Sequence, residues 1–261
     1  MKIALHGATG RMGRAIVALA QSAGDVQFVG AAAAPEDPNQ GRDIGELAGT
    51  GALGVAVTAD VASALLGADV VIDFSVASAV KPLIALAVRG NVALVSGTTN
   101  LDESTRAALQ KAAESIPVLW APNMSLGVQV LAELVEHAVR RLGPAFDAEI
   151  VEIHHRRKVD SPSGTAKRLA DAVRRVRPDA VELHGRDGDV GARTNREIGV
   201  LGVRGGDVIG DHTVFLLGSG ERLELVHRAS SRDLFAQGAL AAARFLAGKK
   251  PGTYTIADVL G

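Results

Sequence analysis

The chain has 261 residues, 47% hydrophobic and 22% charged, which excludes a disordered or fibrous protein and allows one large domain or two ordinary ones. A formal net charge of -1 leaves no global basic field for nucleic acid, so any anion site must be local. Cysteine is absent, which excludes disulfides, thiolate catalysis and cysteine-based metal sites and suits a cytoplasmic setting.

Over the first 120 residues, short β-branched runs alternate with amphipathic stretches. Strands are predicted at 2–6, 26–32, 54–57, 69–74, 92–96 and 118–120. The apolar run of the first of them is too short for a signal peptide, so export is not expected. Between strands, Met12, Ala15, Ile16, Leu19 and Ala20 share one helical stripe, and Val80, Ile84, Ala87 and Val88 another. Such alternation predicts an α/β fold: a Rossmann-type, doubly wound parallel sheet with helices on both faces. The uncharged stretch 115–132 is long enough to span a membrane but contains Pro117, Pro122, Asn123, Ser125 and Gln129; it reads as a buried strand, a turn and a helix start.

A helix is predicted from Asn123 to about Leu142, with Leu126, Val130, Leu134, His137 and Leu142 on its apolar side and Gly143-Pro144 as the stop. The pattern then changes. A strand over 149–155, a helix over 163–176 and strands over 198–203, 208–217 and 221–228 describe a second α+β domain with a mixed or antiparallel sheet. Gly205-Gly206 and Gly218-Ser219-Gly220 read as hairpin turns. The alanine-rich helix at 234–246 is placed back on the first domain. The expected division is 1–124 with 233–261, for binding a dinucleotide, and 125–232, for substrate and oligomerisation.

Gly7-Ala8-Thr9-Gly10-Arg11-Met12-Gly13 follows the first strand and opens the first helix, a G-x-x-G-x-x-G variant of the dinucleotide fingerprint. Its glycines permit a tight turn and close backbone approach to a pyrophosphate, and the helix start offers free amides. An ordinary glycine-rich turn is the bland alternative, and position on the first strand of a β/α chain favours the cofactor loop. An acid at the end of the second strand would favour NADH. Ala33, Ala34 and Pro35 stand there instead, with Glu36 and Asp37 only later. Arg11 and Arg14 are either solvated helix-start residues or partners for a 2′-phosphate. NADPH is therefore expected to be accepted, with NADH use left open.

The densest chemistry is His154-His155-Arg156-Arg157-Lys158-Val159-Asp160-Ser161-Pro162-Ser163-Gly164-Thr165. If the strand persists, His154, Arg156 and Lys158 share one face, and His155 and Arg157 the other. A charged edge strand would explain the run blandly. The helix start at Ser163-Gly164-Thr165 outweighs that, because its hydroxyls and amides bind carboxylate and Lys158 adds a charge. A histidine or lysine beside such a pocket can protonate a double bond as hydride arrives. A metal site is the poorer reading, since adjacent strand histidines diverge and no third ligand is suitably spaced.

These segments, with Gly97-Thr98-Thr99 and Ala121-Pro122-Asn123-Met124, resemble the 4-hydroxy-tetrahydrodipicolinate reductases over essentially the whole chain. Gly210-Asp211-His212-Thr213, Gly220-Glu221-Arg222-Leu223 and Ala229-Ser230-Ser231-Arg232 also look like that family. The resemblance implies NADH- or NADPH-dependent reduction of a cyclic unsaturated imine dicarboxylate in lysine and diaminopimelate biosynthesis, by a homotetramer. It implies His154 as proton donor or acceptor and Lys158 as a second donor. His155, Lys158, Ser163, Gly164 and Thr165 would bind substrate; Gly7 to Met12, Ala34, Gly97 to Thr99 and Ala121 to Met124 would bind cofactor. Family members often carry an acidic then a basic residue where Ala34-Pro35 stand, so cofactor preference stays open. The alternatives are another two-domain dehydrogenase, acting on an amino-acid semialdehyde or aspartate, and a non-catalytic nicotinamide sensor.

Overall fold

Parallel strands covered by helices on both sides need apolar residues on both faces. β1 (Lys2–His6), buried from Ile3 onward, and the fully buried β4 (Val70–Asp73) and β5 (Ala93–Ser96) meet that condition. In this computed structural model, which describes residues 1–261, they join β2 (Gln27–Ala32), β3 (Val57–Thr58), β6 (Pro117–Trp120) and, late in the chain, β12 (Gly252–Tyr254). The sheet order is β12-β6-β5-β4-β1-β2-β3, with every pairing parallel. This is the doubly wound Rossmann arrangement, whose order reverses at β1 and β4.

Two strands differ from expectation. The predicted strand at 54–57 is shifted to Val57–Thr58 because Asp43 gathers the chain before it: its carboxylate accepts from the amides of Gly45, Glu46, Leu53 and Val55 at 2.8, 3.3, 2.9 and 3.0 Å. β12 adds a seventh strand at the edge, where six strands are predicted; three residues carry no readable period.

Helices α1 (Arg11–Ala23), α2 (Ile44–Ala48), α3 (Val61–Ala64), α4 (Ala77–Gly90) and α5 (Glu103–Ala112) cross over between strands. The late helix α8 (Asp233–Leu246) packs on α1, β4, β5 and β6, and α9 (Ile256–Leu260) ends the unit. The first compact unit thus comprises Met1–Ser125 and Asp233–Gly261, and the second Leu126–Arg232.

In the second unit, α6 (Leu126–Leu142) and α7 (Gly164–Arg174) cover one face of a five-stranded sheet of order β11-β10-β7-β9-β8. Its strands are β7 (Asp147–His154), β8 (Val181–Leu183), β9 (Glu197–Arg204), β10 (Asp211–Leu217) and β11 (Arg222–Arg228). β7 pairs parallel with β9 and antiparallel with β10, so it is central and not a charged edge. Gly218-Ser219-Gly220 closes a hairpin between β10 and β11. Gly205-Gly206 does not: β9 and β10 lie on opposite sides of β7, and 205–210 crosses the end of β7 between them. β10 accordingly starts at Asp211 and not at 208.

The apolar stripe of α6 is also corrected. Val128, Leu131, Ala132, Val135 and Val139 are buried, whereas Val130 and Leu134 are 40% and 49% exposed. The helix is apolar on two sides, and periodicity alone does not say which side faces the sheet.

Candidate active site

The cofactor loop is built by close backbone approach. The amides of Gly7 and Ala8 both donate to Ala32 O, at 2.9 and 3.1 Å. Gly7 has φ +77°, and a Cβ there would lie 2.5 Å from Phe74 O; at Gly13 it would lie 2.3 Å from Ala8 O. Helix α1 begins at Gly10 with no side-chain cap and no acid in its first turn, leaving its amides and positive end for an anion. Gly10, Arg11, Met12, Phe74, Ser75, Gly97, Thr98 and Thr99 line a cavity of about 370 Å³ at the carboxyl edge of the strands. A nicotinamide dinucleotide fits this cradle, whose loop keeps its shape because a Cβ at Gly7 or Gly13 would strike the backbone of Phe74 or Ala8.

Asp73, fully buried at the end of β4, ties that edge together. It pairs with His6 Nδ1 at 2.8 Å and accepts from the hydroxyls of Ser75, Ser96 and Thr98 at 2.6, 2.7 and 2.8 Å. Burial alone would raise its carboxyl, but His6 and the hydroxyls hold it below the ordinary carboxylate value. Trp120 Nε1 donates to Thr98 O at 2.9 Å, fixing the same segment.

The remaining first-unit candidates sit less directly at the cavity. Thr9 Oγ1 donates to Asp37, which is thereby brought to the glycine loop although it lies beyond the expected acidic position; Arg14 Nε donates to Thr9 O at 2.9 Å. Ala8 is buried, and Ala34 is exposed, its carbonyl accepting from Gln40 at 2.7 Å. Ala121 N donates to Ser96 O at 3.0 Å, Pro122 follows on the surface, and Asn123 Oδ1 caps Ser125 N at 2.9 Å. Met124 is 1% exposed, with the backbone of Gly238 on α8 against it.

In the second unit, alternation turns Ala148, Ile150, Glu152 and His154 of β7 to the helix-covered face. The strand then stops at His154, one residue short of the expected 149–155, so strand alternation does not extend to Arg156 and Lys158. Gly205 N donates to His154 O at 3.0 Å and His155 N to Val208 O at 2.7 Å, so the crossing loop takes the groups that would extend the ladder. Arg156 and Arg157 form an exposed turn, closed by Lys158 N on His155 O at 3.0 Å.

Glu152 is fully buried, accepts from Arg204 Nη1 and Nη2 at 2.8 Å each and from Ser163 N at 3.1 Å, and pairs with His154 Nδ1. Ser163 caps α7, accepting from Ala166 N at 3.1 Å, and its hydroxyl shares a 3.1 Å hydrogen bond with His212 Nε2. The His154 and His212 rings meet edge to face at 5.1 Å. Gly164 and Thr165 follow in a first helical turn that contains no acid. Lys158 Nζ bonds Asp160 at 2.8 and 3.0 Å, and His155 Nε2 lies 3.3 Å from Arg232 Nη2.

Charge follows from this packing. Burial lowers His154 below the ordinary histidine value, partly offset by Glu152, and burial with the neighbouring His154 pushes His212 down to about 3. Burial would raise Glu152, but Arg204 and His154 hold it below the carboxylate range. A neutral histidine pair thus lies over an ionised buried carboxylate, at a helix start with Lys158 nearby. Sequence reading did not find Glu152, Arg204 or His212 as site members, nor Asp73, Phe74 and Ser75 in the first unit. The alternating Glu149-Ile150-Val151-Glu152-Ile153-His154 run carried one signal, a glutamate in the buried register.

Comparison with known proteins covers both units. The N-terminal family model of dihydrodipicolinate reductase matches residues 1–124 and its C-terminal model residues 127–260. The 4-hydroxy-tetrahydrodipicolinate reductases of Anaeromyxobacter dehalogenans (strain 2CP-C) and Myxococcus xanthus are 49% and 46% identical, over all of this chain and 97% and 98% of theirs. The dipicolinate-bound dihydrodipicolinate reductase of Paenisporosarcina sp. TG-14 superposes with a TM-score of 0.79 at 22% identity, covering 98% of this chain and 97% of that one, a likeness of fold. Two family models in order and full-length relatives place the chain in the dihydrodipicolinate reductase family, as an oxidoreductase.

Proposed function

We propose that the chain reduces the cyclic unsaturated imine dicarboxylate derived from 4-hydroxy-tetrahydrodipicolinate to tetrahydrodipicolinate, in lysine and diaminopimelate biosynthesis. The observation that carries the chemistry is the buried His154–Glu152 pair beside the start of α7. Reduction adds one hydride and one proton across a polarised double bond, and a bound dihydronicotinamide supplies the hydride. Gly7 to Met12 and Gly97 to Thr99 would hold that cofactor. The amides of α7, with Ser163, Gly164 and Thr165, orient a substrate carboxylate, and Lys158 and His155 add positive or hydrogen-bonding groups. His154 gives up the proton from its imidazolium form, with Lys158 as second donor.

Asp37 and Arg14 both flank Thr9 of the glycine loop, a carboxylate suited to ribose hydroxyls and a guanidinium suited to a 2′-phosphate. Use of both NADH and NADPH follows. The face of the second sheet opposite α6 and α7 carries Val151, Ile153, Val203, Phe215, Leu217 and Val226 without helical cover, which supports homotetramer formation with further copies of this chain. No helix is long and apolar enough to cross a membrane; a cytoplasmic enzyme is the reading that accords with the absence of cysteine.

Loss of reduced nicotinamide tests the proposal while dihydrodipicolinate synthase generates substrate from pyruvate and aspartate semialdehyde. Oxidation requiring both synthase substrates is expected with either nucleotide. Nucleotide binding without oxidation would favour a different dehydrogenase or a sensor.

A further inference from the structure

We infer that Glu152 is a positioning residue for His154, fixing the imidazole proton on Nδ1 and leaving Nε2 as the atom that exchanges protons. The two side chains are two residues apart on β7 and so share a face. Glu152 has no solvent contact, and every group compensating its charge is a protein group. Arg204 donates to both carboxylate oxygens and Ser163 N to one of them. A carboxylate held ionised by these donors only accepts, so the remaining partner, His154 Nδ1, must carry a proton. Nε2 then has the free lone pair. At Gly210, in the loop crossing β7, a Cβ would lie 2.9 Å from Nε2; glycine leaves that nitrogen uncovered.

The groups facing His154 from each neighbouring element decide the sign of the effect. Glu152 lies on the same strand, Arg204 on β9, His212 on β10 and Lys158 in the following turn, while Ser163 at the start of α7 reaches the site through Glu152. Glu152 alone favours the imidazolium; Arg204 and Lys158 oppose it, as does burial. Removing the Glu152 charge therefore moves protonation of His154 to lower pH.

The inference rests on His154 exchanging the proton, taken up at Nε2 and passed on from the imidazolium, but the tautomer of its neutral form is measured without turnover. In the full-length protein labelled with ¹⁵N in its imidazoles, long-range ¹H–¹⁵N spectra at neutral pH should show His154 protonated at Nδ1 and bare at Nε2. In Glu152→Gln, the His154-dependent limb of kcat/KM should move roughly one pH unit downward. Turnover should fall about tenfold to a hundredfold, with KM for the nicotinamide unchanged. A wild-type spectrum with the proton on Nε2 overturns the inference even if Glu152→Gln fails to fold, and so does a folded variant with an unmoved pH profile. Full activity in His154→Gln would instead remove the donor reading while leaving the tautomer result intact.

Discussion

At the scale of single residues, two charged groups do different work. Lys158 holds Asp160 across an exposed turn, so its ammonium is ordered yet reachable. Lys158→Met should lower turnover by roughly a hundredfold while the dissociation constant for NADPH stays within about twofold, measured by steady-state kinetics and fluorescence titration. Unchanged turnover would remove it from the mechanism. Asp73 is structural: its removal leaves His6 and three hydroxyls without their common acceptor inside the first unit. Asp73→Ala should cost about 3–5 kcal/mol in urea unfolding followed by fluorescence of Trp120, the single tryptophan, which lies in that unit. The pH dependence has a definite sign. Because the folded carboxyl is depressed, its contribution is complete above the unfolded value of about 3.9 and is lost as pH falls through the lower folded value. Stability of the wild type should therefore fall more steeply below about pH 4 than that of Asp73→Ala.

At the scale of elements, α8 shows how a distant segment completes the first sheet. Glycine inside a helix costs about 1 kcal/mol relative to alanine, so Gly238 needs a reason. A Cβ there would lie 1.8 Å from Met124 O, and the helix could not seat against the 121–124 turn. Gly238→Ala should destabilise the first unit by about 1–3 kcal/mol and, by moving that turn, weaken NADPH binding. Calorimetry with and without nucleotide checks both; a stabilised variant with normal affinity would refute the account.

At the scale of the whole molecule, the uncovered face of the second sheet carries the expectation of assembly. Phe215 lies on that face of β10, directly opposite Glu149 of β7 and Glu224 of β11, a hydrophobic side chain among charged neighbours. Phe215→Asp should lower the solution mass measured by light scattering from that of the proposed tetramer to a smaller species, with secondary structure by circular dichroism retained. A monomeric wild type would refute this assembly.

Much of this protein was legible as pattern. Strand and helix alternation to residue 120 and the glycine loop following β1 are local signals, because short-range sterics and one-sided burial write them directly into the chain. The charged run ending at Ser163 was equally visible, and the cap that Ser163 makes is local too. What tertiary structure decided is which groups meet. Arg204 lies 52 positions from Glu152 and reaches it only because β9 pairs in parallel with β7. His212 comes beside His154 only because β10 pairs on the other side, and the loop between those two strands is what ends β7 at His154. Likewise the buried side of α6 was fixed by the sheet it packs on. A period records which residues share a face; long-range pairing determines what that face touches.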